Sequence, residues 1–249
     1  MADQRIVRHD SEGLATLTLN RPDKLNALDT QAFEELDAHL AALEGATDAI
    51  GCVVLKGEGR GFCAGADLKA MGKVPVDPRF KPGVIERLGN LAQPVIAAVH
   101  GVCFTGGLEL ALACDFILAD ATARFADTHG KWGLVGAWGM GQRLPRRIGQ
   151  AAAKRMMMTS RTVDAAEALS IGLVDMLAEE GGLDGIVAGL AADVLANSRH
   201  TNFAVKRLMR ETEGMALTEG LAHENYRYPG HAPDHQERMA RFAKAGSAT

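Results

Sequence analysis

Apolar and polar positions alternate over Ile6–Arg8 and again over Leu14–Leu19. A period of two puts one face of each segment in a core, and the Ser11–Gly13 turn between them predicts a β-hairpin. Asn20-Arg-Pro-Asp then breaks the strand. The period changes next: Phe33, Leu36, Leu40 and Leu43 share one helical face, with Asp29 or Thr30 available as the cap. Short apolar runs at Ile50–Leu55, Val95–Val99 and Phe116–Ala119 read as buried strands. A glycine-rich loop, Gly57–Gly65, follows the first of them. Gly101, Gly106 and Gly107 follow the second, and a helix is expected from Gly106 to near Cys114. From Gly139 onward the pattern is helical. Asp164 can cap a segment that stops at Gly172, Leu173–Leu177 is one more strand, and helices are predicted over Leu183–Ala196, Arg199–Glu213 and Asp234–Lys244. Strands and helices alternate for two thirds of the chain and helices dominate the rest, so the expected class is α/β with a helical C-terminal part.

Composition narrows the function classes. The 249 residues are 47% apolar, enough for one large domain or one domain with a small appendage. The net charge is −4 and the Lys and Arg residues are scattered, which argues against nucleic acid as the main partner. Cys52, Cys63, Cys103 and Cys114 form no CxxC and lie among apolar or small residues; reduced, buried thiols are expected, not a disulfide framework or a zinc site. The N-terminus lacks an apolar signal segment. The most apolar stretch, Pro94–Ala119, is interrupted by His100, Glu109 and Asp115, unlike a membrane span. The expected location is the cytoplasm.

Two glycine-rich turns carry the candidate chemistry. In Gly61-Phe-Cys-Ala-Gly-Ala-Asp-Leu-Lys-Ala-Met71, small residues at 64–66 let backbone approach a ligand. In His100-Gly-Val-Cys-Phe-Thr-Gly-Gly-Leu-Glu-Leu-Ala111, Gly106 and Gly107 open a helix whose free N–H groups favour a negative oxygen. Glu109 lies in its first turn among Leu108, Leu110 and Ala111, a poor setting for a merely solvated glutamate. One amide from each turn, converging on one oxygen, would form an oxyanion hole.

These segments, with Leu19-Asn-Arg-Pro-Asp-Lys-Leu-Asn-Ala-Leu28, Pro94-Val-Ile-Ala-Ala-Val-His-Gly101 and Gln142-Arg-Leu-Pro, resemble the enoyl-CoA hydratase/isomerase (crotonase) family over nearly the whole chain. The resemblance implies a crotonase-like (ClpP/crotonase) spiral of ββα units over residues 1–190, carrying the site, and a helical trimerisation region over 191–249. It also implies an acyl-CoA thioester substrate and assembly as a trimer or dimer of trimers. By position, the oxyanion donors fall on Ala66 and Gly106, and Glu109 activates water. Adenine and pantetheine would lie against Lys24, Leu25 and Ala27, and Arg60 and Lys69 would sit near the CoA phosphates. Leu68 and Met71 would line the acyl pocket, while Phe242 and Lys244 would close over CoA from a partner subunit. Ala64, Asp67, Gly107, Ala137 and Trp138 complete the expected substrate-binding set.

The sequence departs from the family where a second glutamate is usual. That position is His129, with Asp127 two residues earlier, and the usual Pro-Gly of the next loop is Gly136-Ala137. His129 reads either as a proton carrier, with an unperturbed pKa of about 6.5, or as a surface loop histidine. Asp127 reads as a turn residue. Trp132 and Trp138 read equally as pocket walls or core aromatics. GxSxG, HExxH and GxxxxGK[ST] are absent, which sets aside the common serine hydrolase, zinc protease and P-loop readings. The expected function is enoyl-CoA hydration without metal or redox cofactor, CoA being part of the substrate. Another reaction of the family, isomerase or hydrolase, and a non-catalytic acyl-CoA-binding scaffold remain open.

Overall fold

The computed structural model describes residues 4–70 and 77–246. The predicted hairpin forms from β1 (Ile6–Ser11) and β2 (Leu14–Leu19), with Ser11 opposite Leu14. Glu12 and Gly13 make its two-residue turn, both at positive φ, as a tight hairpin with native strand twist requires. In α1 (Thr30–Glu44) the cap is Asp29, whose side chain accepts from Ala32 N at 2.9 Å. Phe33, Leu36, Leu40 and Leu43 are all buried. Each contributes about 1.5–3 kcal/mol, which outweighs the roughly 1 kcal/mol of the cap, so packing more than local preference holds this helix.

The chain continues through β3 (Cys52–Gly57), α2 (Phe80–Asn90), β4 (Val95–Val99), β5 (Val102–Phe104), α3 (Gly106–Leu112), β6 (Phe116–Asp120) and β7 (Arg124–Ala126). After a 3-10 turn at His129–Trp132 come α4 (Met140–Ile148), α5 (Gln150–Thr159), β8 (Val163–Asp164), α6 (Ala165–Ser170) and β9 (Met176–Ala178). The C-terminal helices are α7 (Leu183–Ala196), α8 (Arg199–Glu211), α9 (Leu217–Tyr226) and α10 (His235–Gly246). One sheet runs β1-β2-β3-β4-β6-β9, parallel from β2 onward, and a smaller one runs β5-β7-β8. A ββα unit is visible as a step from large sheet to small sheet to helix. β4, β5 and α3 make one such step. β3 leads to another through Cys63, whose backbone pairs in parallel with that of Cys103 in β5.

Helices cover both faces of the large sheet, and this accounts for strands that are apolar without alternation. The larger core lies on the side of α1, α2 and α3. On the other side Leu183, Val187 and Ala191 of α7 pack against Cys52, Val54, Ile96, Ala98 and Leu118. The division expected at residue 190 falls inside α7. The strand expected at Leu173–Leu177 starts later, at Met176, because Asp175 Oδ2 instead accepts from Ile117 N at 2.7 Å. The three-residue strands β5 and β7 escaped the sequence reading, being too short to show a period. So did α9, whose Leu217 and Leu221 are exposed.

All four cysteines are free and buried, as expected, and burial pushes the Cys63 and Cys114 thiols up to about 12. Lys206 ties α8 to the core, donating to Asp115 Oδ2 at 2.6 Å and to Gln93 O at 2.9 Å. Among the described residues no helix is long and apolar enough to cross a membrane.

Candidate active site

The two glycine-rich turns lie side by side because residues 62–63 pair with β5. Cys63 N donates to Val102 O at 2.9 Å and Phe104 N donates to Cys63 O at 3.0 Å. The chain then turns at Gly65, with φ +102°. A Cβ there would overlap Thr105 Oγ1 and approach Gly106 N to 3.1 Å, so only glycine fits. Leu28 N donates to Gly65 O at 2.8 Å and Asp67 N to Leu28 O at 2.9 Å, gripping the chain on both sides of Ala66. Among the described residues neither Ala66 N nor Gly106 N donates a backbone hydrogen bond. For Gly106 this follows from its place as the first residue of α3, where no carbonyl lies one turn earlier. Both residues border one cavity of about 160 Å³, which also receives Glu109 and His129.

Glu109 is 1% exposed. Its Oε1 accepts from Trp138 N at 2.8 Å and Met140 N at 3.0 Å, so the loop before α4 fixes the carboxylate. Burial pushes its carboxyl above the ordinary range, and the two amide donors and the nearby imidazole only partly offset this. Oε2 faces His129 Nε2 at 3.8 Å, too long for a hydrogen bond but close enough for each charge to be felt by the other. His129 Nδ1 lies 2.6 Å from Asp127 Oδ1, which also accepts from His129 N at 3.1 Å. With Asp127 as acceptor, Nδ1 carries a proton and Nε2 is presented to Glu109. The hydrogen bond to Asp127 raises the imidazole pKa against the opposing effect of burial, and the charges of Asp127 and Glu109 add to the rise.

His129 is therefore not a surface loop histidine; its side chain is 15% exposed and borders the cavity. Asp127 is a turn residue, as read, but it also orients His129, a role its sequence context did not signal. Of the expected substrate set, Ala64, Leu68, Ala137 and Trp138 line the cavity with Ala66, Gly106, Glu109 and His129. Gly107 is buried behind it, in α3. Trp132 proves to be a cavity wall and not a core aromatic, being 61% exposed. Thr105, Leu134 and Val135 also line the cavity and were missed. The available signal for the last two was an apolar pair inside the glycine-rich run from Gly130 to Gly141.

Other expected residues stand further out. Lys24 and Leu25 form a turn whose Leu25 O accepts from Ala64 N at 2.9 Å, placing Lys24, Leu25 and Ala27 beside the Ala66 turn. Asp67 pairs with Arg21 at 3.1 Å, and Arg21 Nη1 also donates to Ala27 O at 2.6 Å. Burial pushes the Asp67 carboxyl up, but the Arg21 guanidinium and the amides of Lys69 and Ala70 more than offset it, and the net shift is downward. Asp67 thus braces the turn. Arg60 and Lys69 are exposed, as are Phe242 and Lys244 on α10. Met71 lies outside the described residues.

The arrangement sets two free amides beside a buried carboxylate and an oriented imidazole, which suits acid–base chemistry at an oxygen-bearing carbon. Known proteins resemble this chain over nearly its full length. The family described as enoyl-CoA hydratase/isomerase matches residues 9–248. A probable enoyl-CoA hydratase of Rhizobium meliloti is 38% identical over 231 residues, covering 91% of this chain and 90% of its own. The 1,2-epoxyphenylacetyl-CoA isomerase of Escherichia coli is 31% identical over 248 residues, covering 95% and 94%. The crystal structure of enoyl-CoA hydratase from Bacillus anthracis superposes with a TM-score of 0.92 at 30% identity, covering 97% of each chain. This chain belongs to the enoyl-CoA hydratase/isomerase family and has the crotonase fold.

Proposed function

We propose that the protein is a hydro-lyase that adds water across the 2,3-double bond of an enoyl-CoA thioester. The observation that carries this reading is that Ala66, Gly106, Glu109 and His129 border one small cavity. The thioester oxygen accepts from the two amides. As water oxygen bonds to C3, the π electrons move through C2 to that oxygen, and the enolate charge is met by donors already in place. Glu109 takes the proton of the attacking water. The His129 imidazolium then protonates C2 as the enolate collapses, and the proton on Glu109 returns to His129 across the short gap between them. Water is consumed, and both side chains end as they began.

CoA lies along the Lys24–Ala27 turn in this reading, with Arg60 and Lys69 near its phosphates and a partner subunit's Phe242 and Lys244 over it. The exposed apolar side chains of α8–α10, among them Met209, Leu221 and Phe242, support a trimer or dimer of trimers. No metal or redox cofactor is required by this chemistry, and a cytoplasmic location suits it. The test is loss of the conjugated enoyl-thioester absorbance when the purified protein meets crotonyl-CoA. The histidine in place of the usual glutamate favours one second reading, thioester hydrolysis. Release of free CoA without a hydrated product would establish that instead.

Asp127 gives the scheme a pH signature. Glu109 must be ionised and His129 protonated, so activity falls on the alkaline side as His129 loses its proton. Because Asp127 raises the His129 pKa, Asp127→Asn moves that alkaline limb toward lower pH. The kcat/KM profile measures this. An unmoved limb in a folded variant would remove His129 from the acid role.

A further inference from the structure

The small cavity that receives Glu109 and His129 shares two wall residues, Ala137 and Trp138, with a second cavity of about 630 Å³. Trp138 is thus a partition between them, and it is held from four directions. Its indole meets Phe33 edge-on, with ring centroids 4.9 Å apart. The edge of its six-membered ring also lies against α3 at Gly106, where an added Cβ would overlap Cζ3. Its backbone N–H donates to Glu109 Oε1 at 2.8 Å and its backbone carbonyl accepts from Arg143 at 2.9 Å. The backbone is thus fixed at Trp138, and the ring itself is packed against Phe33 on one side and Gly106 on another. The far chamber is charged as well, with Arg146 and Glu213 paired at 3.0 Å on its wall.

Size gives the partition a consequence. An apolar cavity of roughly 150 Å³ takes up one benzene, six carbons. The small cavity here measures about 160 Å³ and must hold the thioester end of the acyl group, its reacting carbons and the attacking water. Little room is left for a tail. We propose that Trp138 sets the acyl-length limit, restricting the enzyme to short enoyl groups of about four carbons by closing the small cavity off from the larger one. This rests on the reading of the small cavity as the acyl-CoA site.

The experiment compares full-length wild type, Trp138→Ala and Trp138→Phe on crotonyl-, 2-hexenoyl- and 2-decenoyl-CoA. A buried methylene is worth a factor of about four, so six extra carbons with a place to lie would gain up to about 10³-fold in kcat/KM. Wild type, offering none, shows no such gain and turns over decenoyl-CoA more slowly than crotonyl-CoA. Trp138→Ala joins the chambers and raises the decenoyl-to-crotonyl ratio by about tenfold, less than full burial would bring because the far wall is charged. Trp138→Phe raises it less. The ratio cancels any general loss of activity. Wild type that handles decenoyl-CoA as well as crotonyl-CoA, or an unchanged ratio in folded Trp138→Ala, overturns the proposal. Calorimetric titration with saturated butyryl- and decanoyl-CoA reads the same limit without the reaction, and on wild type alone if the alanine variant does not fold. Butyryl-CoA binding more tightly supports the partition. Equal binding of both esters sinks the partition only, absent turnover with a retained preference sinks the hydratase reading only, and binding of neither sinks both.

Discussion

Glu109→Gln is expected to lower kcat for crotonyl-CoA hydration by about 10²–10⁴-fold, the range for removing a positioned acid–base group. The substitution keeps the shape of the side chain. Its amide oxygen can still accept from Trp138 N and Met140 N, which places the NH₂ where Oε2 now faces His129. The site then has a donor where the base was. Stability should move the other way. Burial raises the Glu109 pKa in the fold, so the carboxyl favours folding below its unfolded pKa, and this advantage is lost as pH rises through the folded value. At neutral pH the wild type therefore carries a cost that the neutral amide lacks, and the variant should melt no lower than wild type. Turnover assays and thermal melts at pH 7 check both halves. Activity within a few-fold of wild type would show that Glu109 is not the base.

Gly65→Ala is the second large effect. The residue sits at φ +102°, and the new methyl would collide with Thr105 Oγ1 and crowd Phe104 O at 3.0 Å and Gly106 N at 3.1 Å. Relief requires the Ala66 and Gly106 turns to separate, and one or both amides then miss the oxygen they are meant to hold. Loss of one such donor in comparable sites costs about 10²–10³ in kcat, and a backbone outlier of this type costs about 1–3 kcal/mol of stability. Gly141→Ala is the control. That glycine lies in α4 with nothing within 4 Å of an added Cβ, so the change should leave the fold at least as stable. A Gly65→Ala variant with wild-type kcat would mean that the spacing of the two turns does not govern the reaction.

Much of the architecture was readable because its signals are local. The Phe33–Leu43 stripe, the Ser11–Gly13 turn and the apolar run at Val95–Val99 each announce an element through residues within a few positions of one another. The same holds for the glycines of both turns and for Glu109 at the start of α3. Where packing supplies no periodic pattern, as in β5, β7 and α9, the reading failed or misplaced a boundary.

The sequence by itself determined the α/β class, the buried thiols, the family resemblance and the main candidate residues, since these follow from periodicity, composition and motif. Only the tertiary structure decided which groups meet. Ala66 and Gly106 are forty residues apart, and their amides share a cavity because residues 62–63 pair with β5 in one register. Glu109 is held by Trp138 and Met140, far along the chain, and Asp127 became the orienter of His129 through a 2.6 Å contact that no spacing rule singles out. Trp138 became a partition for the same reason: a wall exists only once α1, α3 and the loop before α4 have packed against one another.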